Sequence, residues 1–445
     1  MKMTSTQPEK YPRIQGKGPN VVTPVMYYTS HTEMEAERRS SNTKVGSDME
    51  LCKDYDEQEN TPSCKPDGGP VIVLMKLSIC FLGGIVFGWA LEKTRVFEPR
   101  SIRGQFVFER FIMLKMFLAA VAAGQLCMAA LSVLPFTKQK FNLSIDAYTG
   151  CFKETKGLLT SSVGPFLLGA GMALAGACPG MVLAQVGTWT VNSIYTFIGA
   201  LLGALFYGLV APYVVKLTKP KTPFQAATVH DKFNIPYFSV AIPMAILLSI
   251  VVFILEWFRP WNGNLELDIP NNSTNIMTAR AWPPFVGGIL VGLLQIVIVL
   301  TVCDTVGGSS SYVTIVSQWV ITPKLQEMFP YLANSRCGLG NWWQVLYVFG
   351  AIFGGGLSAL SSNTHSTTPG VHVSMAIVGG FLMIFGARIG AGCTSGHGLS
   401  GMGLLIWMSF LAVPFMFAGG IVTTFIMRAT NSFDKQLYDW SGNVV

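Results

Sequence analysis

Nine apolar runs recur between residues 71 and 428, each close to the ~20 residues that a helix needs to cross a hydrocarbon slab of about 30 Å. They fall near 71–91, 111–134, 158–177, 193–215, 238–258, 285–302, 343–360, 371–391 and 407–428. Hydrocarbon satisfies no backbone amide or carbonyl, so runs of this length have to be helices. The fold class expected is an all-α polytopic membrane protein with about nine transmembrane helices. Two shorter apolar pieces, 181–190 and 311–321, would span only about 15 Å as helices and cannot cross alone. They read as broken half-helices.

Charge supports the same class. Of the 445 residues 50% are hydrophobic and 12% charged, about half the charged share of a soluble domain. Residues 1–70 hold 9 Lys/Arg and 11 Asp/Glu, leaving 22 basic and 13 acidic side chains for the other 375 residues. A soluble globule of that size needs more polar surface. Collagen, a wholly disordered chain and a nucleic-acid-binding domain are excluded as well. The basic surplus marks cytoplasmic loops and lipid headgroups, and more weakly an anionic substrate. Nine cysteines occur singly with no CxxC pair, which speaks against zinc ribbons, iron–sulfur clusters and a disulfide framework. No cofactor and no metal is called for.

The chain divides into a polar, disordered N-terminal tail (1–70), a first transmembrane half (71–258), a second half (285–428) and a C-terminal tail (429–445). The first apolar run is expected to act as its own insertion signal into the lipid bilayer, with the plasma membrane as the destination. The loop 92–115 carries six Lys/Arg and 216–237 four Lys, which favours the cytoplasmic side for both. Sequons at Asn142, Asn271 and Asn272 are read as lying in other loops.

An internal repeat carries more. Phe81-Leu82-Gly83-Gly84-Ile85 with Gly88 recurs as Phe285-Val286-Gly287-Gly288-Ile289 with Gly292. Gly164, Phe166, Leu167, Gly171 and Cys178 recur as Gly379, Phe381, Leu382, Gly386 and Cys393 at a constant offset of 215. Two halves on one plan are a transporter architecture, with substrate held where the halves meet.

The repeat converges on two interruptions, Gly176-Ala177-Cys178-Pro179-Gly180 and Gly390-Ala391-Gly392-Cys393-Thr394-Ser395-Gly396-His397-Gly398. Broken backbone at membrane depth is tolerated only where it faces protein or a wet cavity, so each break marks a path or a site. Pro179 has the placement of a first-turn proline, from which a helix should restart with its amide end toward the break. Arg388, in an apolar run, either faces a partner or cavity or snorkels to an interface. His397 either bonds backbone or serves as a proton acceptor or a metal ligand. Gln185 and Gln295 are either interhelical glue or pore-lining donors. Gly307-Gly308-Ser309-Ser310-Ser311, after Cys303-Asp304, is a third break.

Cys178-Pro179-Gly180, Gln185-Val186-Gly187 and above all Gly392-Cys393-Thr394-Ser395-Gly396-His397-Gly398, preceded by Gly386-Ala387-Arg388 and followed by Ser400-Gly401, resemble the YeeE/YedE family of sulfur-compound transporters over roughly 75–428. The resemblance implies an hourglass-like helical bundle that takes up thiosulfate past cysteines at a central constriction. It implies Cys178 and Cys393 as the substrate-contacting thiols, with Pro179, Gly180, Thr394, Ser395, His397, Arg388 and Gln185 around them. A further family cysteine after the first helix has no counterpart, since Thr94-Arg95-Val96-Phe97 stands there. Expected partners are thiosulfate or a similar sulfur anion, the bilayer and sulfur-accepting enzymes inside the cell; no subunit interface is legible. The rival expectation is a membrane sulfurtransferase, with His397 as base and a persulfide on Cys393; a third is an anion or metal-ion channel with inert cysteines.

Overall fold

The computed structural model describes residues 69–153, 157–218, 228–264, 275–430, 432 and 437–440. Sixteen α-helices and one π-helical segment are found there. Nine of the elements are long and apolar enough to cross a membrane, in step with the nine apolar runs. The disordered tail expected over 1–70 and the sequons at Asn271 and Asn272 lie essentially outside the described residues.

In chain order the helices are α1 (Pro70–Lys93), α2 (Pro99–Phe106), α3 (Ile112–Val133), α4 (Pro135–Lys153), α5 (Leu158–Ala175), α6 (Pro179–Gly187), α7 (Ser193–Thr218), α8 (Val229–Lys232) and α9 (Tyr237–Phe258). They continue as α10 (Pro284–Val302), α11 (Ser309–Val316), α12 (Pro323–Met328), α13 (Pro330–Asn334), α14 (Leu339–Ser361), α15 (Val373–Gly390), the π segment Thr394–Gly401 and α16 (Trp407–Ala429). A two-residue ribbon pairs β1 (Gly370–Val371) antiparallel with β2 (Leu437–Tyr438). Among the described residues the chain is otherwise helical, an all-α polytopic membrane protein.

The repeat offset survives into the helix ends. Leu158–Ala175 and Val373–Gly390 are 18-residue helices 215 residues apart, and the segments restarting at Pro179 and Thr394 keep that spacing. The packing is exchanged between the halves. The first helix of each lies on a helix of the other, α1 on α14 and α10 on α3, while α5 and α15 cross each other.

Glycine explains how closely the helices meet. A Cβ at Gly164 would stand 2.3 Å from the Gly390 amide, and one at Gly386 2.4 Å from the Leu168 amide. In a bilayer, where lipid tails are as apolar as leucine, this close backbone fit is what drives association. Outward faces are apolar in keeping with lipid: Phe253, Trp257 and Phe258 on α9 are each at least two-thirds exposed.

Three sequence expectations need correction. The stretch 92–115 is not a polar loop open to headgroups. Glu92, Lys93, Arg95, Arg103 and Lys115 are all within 2% of complete burial, and Pro99–Phe106 is a helix. These charges bond inside the protein, so they carry no weight in a topology count. Asn142 lies on α4 rather than in a loop. Cys337 is disulfide-bonded, so not every cysteine is a free thiol.

Candidate functional site

α5 ends where Gly176 turns left-handed at φ 60°. A side chain there would be strained, and its Cβ would sit 2.6 Å from Pro99 Cβ, so glycine is required twice over. Two residues on, Cys178 is extended (φ −95°, ψ 167°) as the cap of α6, with Pro179 in the first turn. The second half repeats this. Ala391 is left-handed at φ 61°, and Cys393 is extended (φ −100°, ψ −172°) before the π segment. Neither cysteine makes a side-chain cap bond, so the first amides of both restarting segments lack the usual internal partner. π-helical turns are rare and cluster at functional sites.

The two breaks meet. The Thr394 hydroxyl lies beside the Cys178 thiol, and the two cysteines are within electrostatic range of each other. Tyr312 on α11 is in range of both sulfurs and donates its hydroxyl to the Pro179 carbonyl at 2.9 Å. Around Cys178 Sγ stand the amides of Gly180 and Met181. Around Cys393 Sγ stand the amides of Gly396 and Gly308 and the Ser309 hydroxyl, with Ser395 Oγ at 3.1 Å. The cluster is sealed: Cys178 is 9% exposed and Cys393 1%.

Arg388 points inward. Its guanidinium donates to Ser309 Oγ at 2.7 Å and Ser310 Oγ at 3.3 Å, at the start of α11 behind the third break. Ser400 Oγ donates to the Val306 carbonyl at 2.7 Å, tying the π segment to that break. The Arg388, Ser309 and Cys393 side chains therefore form one polar wall made by α15, α11 and the π segment.

Two residues named from the sequence do other work. Gln185 Nε2 donates to the carbonyls of Phe97 (2.8 Å) and Gly176 (3.0 Å), so its amide fixes the first break to the α1–α2 connection. His397 Nε2 lies 3.0 Å from the Gly390 carbonyl and Nδ1 3.3 Å from Ser409 Oγ. It braces the second break. Gln295 Nε2 likewise donates to the Leu399 carbonyl at 3.2 Å. Cys303, left-handed at φ 54°, terminates α10.

Sequence reading missed Tyr312 and Ser309 as site residues. Ser309 was visible as part of the third break, but nothing in the sequence showed that this break folds against Cys393. Tyr312 gives no local signal, since its partner lies 133 residues away.

Paired broken helices buried in a bundle of membrane-crossing helices, built on a duplicated plan, define a multi-pass membrane transporter. The chain belongs to the sulphur-transport family, whose match covers residues 93–422. It is similar to the thiosulfate transporter TsuA of Escherichia coli K12, at 24% identity over 59% of this chain and 72% of that protein. It is also similar to the thiosulfate transporter TsuA of Spirochaeta thermophila, at 23% identity over 78% of this chain and 97% of that one.

Proposed function

We propose that this protein carries thiosulfate, or a closely similar sulfur oxyanion, across the membrane by handing it between Cys393 and Cys178 without a covalent intermediate. The meeting of the two thiols across Thr394 carries this reading, because two breaks 215 residues apart in sequence are folded onto one buried spot.

Moving even one unit charge into a dry interior has an idealised cost of order 20 kcal/mol, so a path must replace water with fixed donors. The donors here are the amides of Gly180, Met181 and Gly396, the hydroxyls of Thr394, Ser395 and Ser309, and the Arg388 guanidinium. Thiols suit the terminal sulfur. A neutral S–H is polarisable and a weak donor, and conduction needs sites that release what they bind. Pro179 brings no amide hydrogen to compete at the Cys178 break, and the missing Gly180 side chain leaves room for the Phe87 ring, 3.1 Å from where its Cβ would stand. A persulfide mechanism would need a base alongside Cys393. His397 is occupied by Gly390 and Ser409 instead.

Uptake of labelled thiosulfate into proteoliposomes tests the reading. Cys178→Ala and Cys393→Ala are each expected to cut uptake by at least about tenfold, the order expected from losing one substrate contact, with folded yield unchanged. Near-normal uptake in both variants refutes it. Mass spectrometry after exposure to thiosulfate should find both thiols unmodified.

A further inference from the structure

Arg103 is a guanidinium buried to 1% exposure on the short helix α2. Nε donates to the Ala173 carbonyl at 3.0 Å and Nη2 to the Leu174 carbonyl at 2.8 Å, with Met375 Sδ 3.7 Å from Nη2. Nη1 is buried and has no hydrogen-bond partner among the described residues. Two carbonyl dipoles do not neutralise a full charge, and among the described residues no carboxylate pairs with it. A buried, unpaired cation is among the costlier things a membrane protein can hold, and such residues as a rule serve a ligand.

Its position gives the ligand a class. Ala173 and Leu174 are in the last turn of α5, immediately before the Gly176–Cys178 break. Pro99, at the start of α2, packs on Gly176 itself, and Gln185 straps Phe97 to Gly176. The helix bearing Arg103 is therefore fastened to the first break.

The second half shows the matching contact with the charge on the other member. There the short helix α11 meets α15, the helix before the second break, through Arg388 donating to Ser309 and Ser310. At the repeat offset of 215 the counterpart of Arg388 is Ala173, whose carbonyl receives Arg103. Both α2 and α11 have eight residues. Each break thus has one guanidinium at the seam between its long helix and its short one.

We propose that Arg103 is a second anion-binding residue, which takes the sulfur oxyanion at the first break through its free Nη1 as Arg388 serves the second. The inference rests on the transport reading above and adds a fixed cation on the Cys178 side of the thiol pair. A dianion passing between the thiols then leaves one guanidinium as it approaches the other, so neither end of the hand-off is a bare charge in a dry interior.

The test is thermal stabilisation of the full-length protein in detergent by thiosulfate, sulfate and chloride at matched ionic strength, alongside proteoliposome uptake. Wild type should be stabilised by thiosulfate in a saturable way and much less by chloride. Arg103→Gln should lose about tenfold or more in apparent thiosulfate affinity, the order expected for a charge-assisted contact. A purely structural tether to Ala173 and Leu174 would lower the ligand-free melting temperature and leave that affinity alone. Arg103→Lys has one nitrogen to share between two carbonyls and an anion, and should bind several-fold more weakly. Wild-type affinity in Arg103→Lys overturns the assignment even if the glutamine variant does not accumulate. Equal stabilisation by chloride overturns it too. If thiosulfate neither stabilises wild type nor crosses, the transport reading itself fails; full affinity in Arg103→Gln refutes only the role given to Arg103.

Discussion

Thr394 holds a buried hydroxyl whose neighbour is the Cys178 thiol. A thiol is a weak partner for a hydroxyl, and a passing anion would be a stronger one. Thr394→Val keeps the shape and removes the hydroxyl. It should leave the melting temperature unchanged or slightly higher while cutting thiosulfate uptake by about tenfold, with Thr394→Ser close to wild type. Undiminished transport by the valine variant would show that the hydroxyl does not meet substrate. Cys178 and Cys393 stand out in the sequence because a duplicated spacing singles them out. The polar residues near them were legible only as alternatives. Gln185 could have faced a pore and His397 could have accepted a proton, and the structure puts each on a backbone carbonyl at a break.

At the level of elements, the two breaks begin alike and restart differently. Pro179 fixes φ and the chain resumes as an ordinary α-helix. The second restart holds Gly396, Gly398 and Gly401 within eight residues and winds as a π-helix. Two of these make room for neighbours: a Cβ at Gly398 would lie 2.4 Å from the Phe117 ring and one at Gly401 2.0 Å from Ser409 Oγ. The α5–α15 crossing depends on missing side chains still more directly, since backbone faces backbone there. Gly386→Val should destabilise by more than about 3 kcal/mol, beyond usual overpacking, because neither main chain can step aside. Gly150→Ala on α4, with nothing within 4 Å of the new Cβ, should instead be neutral or gain up to about 1 kcal/mol. Melting in detergent separates the two; a valine variant as stable as wild type would mean the helices cross elsewhere.

For the whole molecule, the exchanged packing of the two halves is locked by buried charge. Glu92, at the end of α1, accepts from Ser358 Oγ at 2.6 Å, in the last turn of α14, and from Thr364 Oγ1 at 2.7 Å, just beyond that helix. Arg95 lies 3.3 Å and Lys93 3.8 Å from the same carboxylate. Lys93 Nζ also donates to the Ala279 carbonyl at 2.9 Å, ahead of α10. Removing one member of such a cluster strands the others, so Glu92→Ala should cost about 3–5 kcal/mol. A loss under about 1 kcal/mol in the detergent melting curve, the size of an exposed pair, would show that the halves are held by other contacts. Lys115 plays a similar part between α3 and α9, bonding Glu256 at 2.7 Å and the Arg259 carbonyl.

The amino-acid order alone settled the membrane, the number of membrane-spanning helices and the duplicated breaks, because hydrocarbon leaves the backbone one solution and a repeat shows itself as spacing. It could not settle where polar side chains end. Glu92, Arg95 and Arg103 read as a charged loop by composition, yet they are interior, since burial is decided by partners such as Ser358, Thr364 and the Ala173 carbonyl that lie 70 or more residues away. Only the folded chain brings those partners within bonding distance, and only there do the two distant breaks meet.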